Sequence, residues 1–140
     1  MKYRIQAVGK PALDYARAGI GEYQKRLGRH ARLTIDYLRD ESKFGPLPQG
    51  TFRVVLDERG TLLDTAEFTA TISRWEGDPA IKAVAFQIAG AGGHDPQCRD
   101  TADFLLALSP LTLQHELALL VLLEQLYRVH MIKAGTPYHR

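Results

Sequence analysis

The 140-residue chain has one cysteine and no long apolar run, and each shortage excludes a class of protein. Cys98 has no partner for an internal disulfide, and a single thiol is no basis for a zinc site, so the composition fits a reducing compartment. The longest apolar run, residues 117–123, is far too short to span a bilayer, and the first residues lack the apolar core of a signal peptide. We therefore expect a cytoplasmic protein with no membrane association.

The chain also lacks an excess of charge of either sign. It has 18 basic and 16 acidic side chains, which give a formal net charge of +2. Any affinity for nucleic acid must then come from local clusters of charge. The clearest basic cluster, residues 25–32, has two interpretations: cations that favourably end a helix, or a phosphate-binding patch. The hydrophobic content of 45% is enough for one substantial core, and the length suits a single domain over residues 1–140.

The histidines show no recognised metal-ligand spacing. They are His30, His94, His115, His130 and His139. We predict that most of them are surface or capping groups and that the protein holds no metal.

Strand-like and helix-like patterns alternate along the chain. Strands are predicted over residues 3–8, 33–38, 52–56, 81–88 and 104–108, and helices over residues 15–27, from Asp64 past Trp75, from Pro96, and over residues 114–133. Residues 43–50 are turn-rich, and the third strand is expected to stop at residues 57–60. This order predicts a single α/β domain with a mostly parallel sheet.

Two loops follow predicted strands, at the edge where parallel sheets bind ligands. Residues 89–93 are rich in glycine, so their backbone can approach a ligand closely, but their spacing is not that of a dinucleotide-binding fingerprint. Residues 108–113 are apolar and either pack in the core or wrap an apolar edge of a ligand. From the residues alone, the glycine-rich loop is either a plain turn or part of a ligand site.

The last predicted helix is apolar on nearly every side. Residues 117–123 and Leu126 leave little polar face, so this helix needs cover from several directions. Because a chain of this length has few elements to provide that cover, we expect a homodimer interface through the helix. Glu124 and Arg128 stand four residues apart in the favourable order and are expected to form an ion pair, with a functional role for Arg128 left open.

Several segments together resemble the RlmH family of ribosomal RNA methyltransferases. They are Val8-Gly9-Lys10, Ile88-Ala89-Gly90-Ala91-Gly92-Gly93, Leu108-Ser109-Pro110-Leu111-Thr112-Leu113-Gln114-His115, Glu124-Gln125-Leu126-Tyr127-Arg128 and the terminal Tyr138-His139-Arg140. The resemblance covers nearly the whole chain and implies a trefoil-knotted α/β fold of the SPOUT class, a homodimer, and S-adenosyl-L-methionine bound at the knot. The implied reaction is N3-methylation of a pseudouridine in large-subunit (23S) rRNA, on the ribosome.

The same resemblance assigns the cofactor to residues of three segments, largely through backbone groups. These residues are Leu56, Ala89, Gly90, Gly93, Leu108, Ser109, Pro110, Leu111, Thr112 and Leu113. The segments share apolar side chains and exposed backbone groups, which suit the adenosine part of the cofactor better than a phosphate.

The target side of the implied site falls on Arg128 and on the tail, Tyr138, His139 and Arg140. His139 can accept the N3 proton at neutral pH, and Arg128 or Arg140 can stabilise negative charge on the uracil carbonyl oxygens. Tyr138 can stack on a base that has left the helix. Two alternatives stand beside this hypothesis: the tail only packs at a dimer interface, or the protein is a non-catalytic RNA-binding relative.

Overall fold

We describe the fold from a computed structural model that defines residues 1–139, with His139 defined by its backbone alone; Arg140 lies outside the described residues. Five strands alternate with helices: β1 Lys2–Val8, α1 Asp14–Leu27, β2 Arg32–Leu38, β3 Thr51–Leu62, α2 Thr65–Glu76, β4 Ala83–Ile88, α3 Pro96–Asp100, β5 Phe104–Ala107 and α4 His115–Lys133. Short 3-10 turns cover Glu41–Lys43 and Pro137–His139. The predicted alternation of strands and helices is confirmed.

The strands form one sheet in the order β2-β1-β4-β3-β5, and every pair is parallel. The α/β prediction is confirmed, with a sheet that is parallel throughout. The connections from β1 to β2 and from β3 to β4 cross the sheet in the same direction, so right-handed crossovers place α1 and α2 on one face. The last helix, α4, packs against both of them on that face. The knot and the homodimer that the resemblance implies stay predictions.

The face of the sheet that carries these helices supplies the core. Tyr3 and Ile5 of β1 and Val84 and Phe86 of β4 are fully buried there. They lie two residues apart because successive side chains of a strand point to opposite faces. The alternation visible in the sequence thus identifies the side of each strand that α1, α2 and α4 cover.

One chain already covers much of the apolar helix α4. Its fully or nearly fully buried residues are Leu119, Leu122, Leu123, Leu126 and Val129. Leu120 lies against Gly19 of α1, where an added Cβ would come within 2.8 Å of the leucine, so the two helices cross closely. Within residues 1–139, no helix has the length and apolar content needed to cross a membrane.

The other face of the sheet has a row of polar side chains and, among residues 1–139, carries α3 and the first 3-10 turn. Arg53 donates to Gln87 Oε1 at 2.9 Å, and Gln87 Nε2 donates to Gln6 Oε1 at 2.8 Å. Gln6 Nε2 then donates to the carbonyl oxygen of Phe44 at 2.9 Å. This row satisfies two buried amides, as burial requires, and it fastens the segment after β2 to the sheet.

The prediction that the third strand stops at residues 57–60 is wrong. β3 continues to Leu62, and its pairing with β5 resumes after these residues, which form an irregular bulge. Gly60 permits the bulge, since a Cβ at this position would lie 2.5 Å from the carbonyl oxygen of Leu105. A bulge redirects the side chains that precede it, and here it turns a charged segment toward the carboxyl edge of the sheet.

The basic segment at residues 25–32 starts inside α1 and continues beyond it. Lys25 and Arg26 occupy the last turn, where cations are favourable, so this part fits the helix-end interpretation. Arg29 and Arg32 follow the helix and are exposed. The phosphate-binding alternative therefore stays open for these two residues.

His130 on α4 gives the fold a pH dependence. Its Nε2 lies 2.8 Å from the Tyr3 hydroxyl, and burial lowers the pKa of His130, with Lys133 and His30 acting in the same direction against Glu76. The unfolded chain therefore binds this proton more readily, so the free energy of unfolding decreases as the pH falls below about 6.5. We expect the melting temperature to fall between about pH 7.5 and about pH 5, and to fall less for His130→Gln. Identical pH profiles for the two proteins would contradict this assignment.

Candidate functional site

A cavity of about 540 Å³ opens at the carboxyl edge of the sheet, beside the bulge of β3 and the ends of β4 and β5. This is the edge at which parallel sheets bind ligands, and the volume suits a small molecule. Its walls are residues 56–59 of the bulge, residues 88–94 after β4, and residues 108–109 and 111–115 before and at the start of α4. Arg99 and Ala118 complete the lining.

Nine of the ten positions assigned to the cofactor surround this one cavity. They are Leu56, Ala89, Gly90, Gly93, Leu108, Ser109, Leu111, Thr112 and Leu113. The tenth, Pro110, is exposed and is not part of the lining. The fold thus brings together segments that are far apart in the sequence, while the cofactor role of each residue stays a prediction.

The wall after β4 offers backbone groups to the cavity. The Gly93 N–H donates to the carbonyl oxygen of Gly90 at 3.1 Å, and Gly93 has a φ of 77°, which favours glycine. An added Cβ at Gly90 would lie 3.0 Å from Cγ1 of Val8, so this glycine also allows close packing. Ala89 is buried, and no non-glycine residue among residues 1–139 has a positive φ, so its methyl group is held without backbone strain.

The opposite wall contains three charged residues that the sequence assigned to a turn: Asp57, Glu58 and Arg59. Glu58 accepts a hydrogen bond from the Thr112 hydroxyl, and Arg59 Nη1 lies 3.3 Å from Asp57 Oδ1. Two carboxylates therefore stand at the cavity. The sequence did not indicate them, because the segment Asp57-Glu58-Arg59-Gly60 has the composition of a turn.

The start of α4 closes the cavity on a third side. The Gln114 side chain caps this helix by accepting from the N–H groups of Glu116 and Leu117 at 2.9 and 3.0 Å. Glu116 in turn accepts from the N–H groups of Leu13 and Ala12 at 3.0 and 2.7 Å, and these bonds lower the pKa of its carboxyl group. The beginnings of α1 and α4 are thereby fastened together next to the cavity.

The tail packs at the other end of α4. The chain turns back at Gly135, which has a φ of 73°. The Tyr138 ring then meets the Tyr127 ring edge-on with centroids 4.8 Å apart, and its hydroxyl lies 3.1 Å from the Tyr23 hydroxyl. Tyr138 is therefore held by both α1 and α4.

Arg128 belongs to the same aromatic cluster. Its guanidinium carbon lies 4.8 Å from the centre of the Tyr138 ring, and its Nε donates to Glu124 Oε1 at 2.8 Å. The predicted ion pair with Glu124 is confirmed. The structure thus brings Arg128 and Tyr138 together, whereas Arg140 and the side chain of His139 lie outside the described residues.

Tyr138, Tyr127, Tyr23 and Arg128 form what we call the tail cluster. The cavity and the tail cluster lie at opposite ends of α4. Ala118 lines the cavity, and Arg128 follows ten residues later on the same helix, which corresponds to about 15 Å along the helix axis. Within one chain, Arg128 and Tyr138, the described residues of the predicted target side, are therefore not placed against the residues predicted for the cofactor.

Glu41, His94 and Cys98 form a further polar cluster, with possible ligand atoms within 4.8 Å of one another. Both oxygens of the Glu41 carboxylate already have partners within the protein. One lies 2.5 Å from His94 Nδ1, and the other accepts from the Asp95 N–H at 3.0 Å. Burial raises the pKa of the Cys98 thiol, and the Arg53 guanidinium lies 3.7 Å from its sulfur. The positive charge of this guanidinium disfavours a metal ion at the same place, because like charges repel. The expected absence of a metal stays a prediction.

Known proteins resemble this chain over its whole length. Residues 1–139 match the family model described as "Predicted SPOUT methyltransferase". A protein of Thermus thermophilus, named ribosomal RNA large subunit methyltransferase H, is 52% identical over 140 residues, which cover 100% of this chain and 99% of that protein. A protein of the same name from Geobacter sulfurreducens is 39% identical over 153 residues and is covered to 99%, as is this chain.

Solved structures with little sequence identity share the fold. A probable methylase family protein from Haemophilus influenzae Rd KW20 superposes with a TM-score of 0.62 at 9% identity, over 95% of this chain and 68% of that one. A probable methyltransferase from Bordetella pertussis Tohama I superposes with a TM-score of 0.58 at 12% identity, over 91% of this chain and 95% of that one. At these identities the likeness concerns the fold alone.

Proposed function

Because the chain belongs to the SPOUT methyltransferase family, we propose that it transfers a methyl group from S-adenosyl-L-methionine to N3 of a pseudouridine in large-subunit (23S) ribosomal RNA. The observation that carries this proposal is the cavity beside the bulge of β3 and the ends of β4 and β5, which is lined by the segments assigned to the cofactor. The name of the Thermus thermophilus relative supports large-subunit rRNA as the substrate.

The chemistry of the cavity suits the proposed methyl donor. S-adenosyl-L-methionine has a flat apolar adenine and a positively charged sulfonium and ammonium end. Leu56 and Leu113 offer apolar surface to the adenosine part, and the glycine-rich wall offers backbone donors and acceptors. The carboxylates of Asp57 and Glu58 can accept hydrogen bonds from ribose hydroxyl groups or from the ammonium group.

We also propose that a second copy of the chain completes the site. A two-fold axis that pairs two α4 helices antiparallel brings the tail end of one helix near the cavity end of the other. Large apolar side chains are exposed at Leu13 before α1, Tyr15 in the first turn of α1, Leu62 at the end of β3 and Leu111 between β5 and α4. Exposed apolar groups concentrated in one region favour an interface there. In this arrangement the tail of one copy serves the cofactor of its partner.

The tail then supplies the groups that the reaction needs. The methyl group is already activated in the donor, so the enzyme must orient it and let N3 lose a proton. Burial and the bond to Tyr23 raise the pKa of Tyr138, so its neutral phenol suits stacking or hydrogen bonding rather than proton abstraction. His139 is the proposed base, and Arg128 and Arg140 are proposed to stabilise charge on the uracil carbonyl oxygens.

The basic segment lies beside the proposed target side. The Arg26 guanidinium carbon lies 5.9 Å from the centre of the Tyr127 ring, the ring on which Tyr138 packs. Arg29 and Arg32 are exposed and follow the end of α1, which lies next to the tail cluster. This position supports contacts with rRNA phosphates.

The experiment that tests the proposal is transfer of a labelled methyl group from S-adenosyl-L-methionine to ribosomes from a strain that lacks this modification, followed by mapping of the labelled base. We expect the label on N3 of a pseudouridine in 23S rRNA. Cofactor binding without transfer would indicate a different RNA substrate. The absence of both transfer and binding would favour a non-catalytic RNA-binding relative.

A further inference from the structure

We propose that Glu41 is a positioning residue for the cofactor, because it holds the glycine-rich wall of the cavity from the polar face of the sheet. The inference rests on the proposed cofactor role of the cavity. Glu41 itself is not part of the cavity lining, so its effect passes through the residues it binds.

The Glu41 carboxylate binds the end of this wall at two points. One oxygen lies 2.5 Å from His94 Nδ1, and the other accepts from the Asp95 backbone N–H at 3.0 Å. His94 lines the cavity and is only 6% exposed. A single side chain thus fixes both a buried ring at the cavity and the backbone that follows it.

Glu41 is itself held in place. It starts a 3-10 turn that Asp40 caps by accepting from the Ser42 N–H at 2.8 Å. The turn ends at Phe44, whose carbonyl oxygen accepts from the buried Gln6 of β1 at 2.9 Å. The carboxylate therefore links the wall to the sheet rather than to a loose surface loop.

The middle of the wall, residues 91–93, makes few contacts with the rest of the protein. Ala91, Gly92 and Gly93 are exposed, and a Cβ built on either glycine would meet nothing within 4 Å. Order in this segment therefore depends on its ends. Arg99 contributes at the same end, since its Nη1 donates to the carbonyl oxygen of His94 at 2.6 Å.

A wall of this composition loses much conformational freedom when it is ordered, because glycine has the most freedom to lose. If the wall is already fixed before the cofactor binds, less of this entropy is lost on binding. Glu41 is therefore expected to strengthen cofactor binding and to leave the rate of methyl transfer from the saturated enzyme unchanged.

The test compares Glu41→Ala with Ser42→Ala, which removes a hydroxyl bonded to Asp40 in the same turn and leaves Glu41 in place. We expect Glu41→Ala to raise the Kd for S-adenosyl-L-methionine and its KM by about tenfold, with kcat at saturating cofactor nearly unchanged. The melting temperature should fall, because the buried His94 ring loses this partner. Glu41→Gln keeps an acceptor for the Asp95 N–H and should fall between. Ser42→Ala should match the wild-type protein. An unchanged Kd in Glu41→Ala, or a loss of kcat at saturating cofactor, would overturn the inference.

A second measurement separates this inference from the proposed function. Without cofactor, the backbone amides of His94, Asp95, Gln97 and Cys98 should exchange hydrogen faster in Glu41→Ala than in the wild-type and Ser42→Ala proteins. If the wild-type protein binds no cofactor, the proposed function fails. Unchanged hydrogen exchange in Glu41→Ala would independently refute the claim that Glu41 orders the wall. Loss of wild-type cofactor affinity on addition of EDTA would also overturn the inference, because a metal ion would then hold the cluster.

Discussion

Removal of Tyr138, His139 and Arg140 is expected to reduce methyl transfer by at least about 10³-fold and to leave the Kd for S-adenosyl-L-methionine within about twofold of the wild-type value. The reason is that the residues assigned to the cofactor line the cavity, whereas the tail of the partner copy is proposed to act on the target base. Single-turnover transfer to ribosomes and calorimetric titration with the cofactor measure the two quantities separately.

Tyr138→Phe is the matched control for this truncation. It keeps the ring that packs on Tyr127 and removes only the hydroxyl near Tyr23. We expect it to retain most of the transfer rate if Tyr138 acts by stacking on the target base. Equal losses of transfer and of cofactor affinity in the truncated protein would refute the division of the site into two halves.

Gly60→Ala is expected to damage both the fold and the cofactor site. Its Cβ would lie 2.5 Å from the Leu105 carbonyl oxygen and 2.8 Å from the Leu106 nitrogen, and these backbone atoms cannot move without disturbing the pairing of β3 with β5. We expect the free energy of unfolding to fall by about 1–3 kcal/mol. Because residues 57–59 form one wall of the cavity, cofactor affinity should fall by more than about tenfold.

Gly21→Ala provides the comparison. Gly21 lies within α1, and a Cβ there would meet nothing within 4 Å. This substitution should stabilise the protein by up to about 1 kcal/mol, since alanine favours helices over glycine, and should leave cofactor binding unchanged. Denaturant unfolding and cofactor titration test both variants. A Gly60→Ala protein that matched the wild type in both would show that the bulge tolerates a side chain.

The sequence predicts this fold well where a strand is apolar enough to reveal its burial. β4 is buried at every position, and its nearly continuous apolar run is typical of a central parallel strand. The helices also have local signals, such as the Asp64 and Glu67 capping box at the start of α2 and Pro96 in the first turn of α3. The order and parallel arrangement of the elements follow from these signals.

Features that depend on distant residues were harder to predict. The bulge before Gly60 forms because β3 pairs with β5 on both sides of it, and that partner lies more than 40 residues further along. Glu41 and His94 are 53 residues apart, and neither shows a motif that indicates contact with the other. Without the pairing partner or the fold, residues 57–60 have the composition of a turn.

The candidate site divides in the same way. The glycine-rich and apolar loops could be located from their positions after strands, and the structure brings them to one cavity. The location of the tail relative to that cavity could not be predicted, because it depends on the length and direction of α4 in the folded chain. The proposed pairing of two copies follows from this distance, not from a sequence pattern.

Complementation between two inactive variants shows whether each active site combines two copies of the chain. Gly93→Val places a β-branched residue at a φ of 77° in a wall where a Cβ meets nothing within 4 Å, so it should disable cofactor binding with little effect elsewhere. The second variant lacks residues 138–140. The two variants are co-expressed, each with a different affinity tag. Purification on both tags in turn isolates the mixed dimer.

If each site combines two copies, one site of the mixed dimer pairs the intact cavity of the truncated variant with the intact tail of the Gly93→Val variant. We therefore predict about half of the wild-type rate of methyl transfer to 23S rRNA for the mixed dimer, and almost none for either variant alone. A mixed dimer no more active than its parents, or the failure of any dimer to carry both tags, would contradict a site shared between two copies.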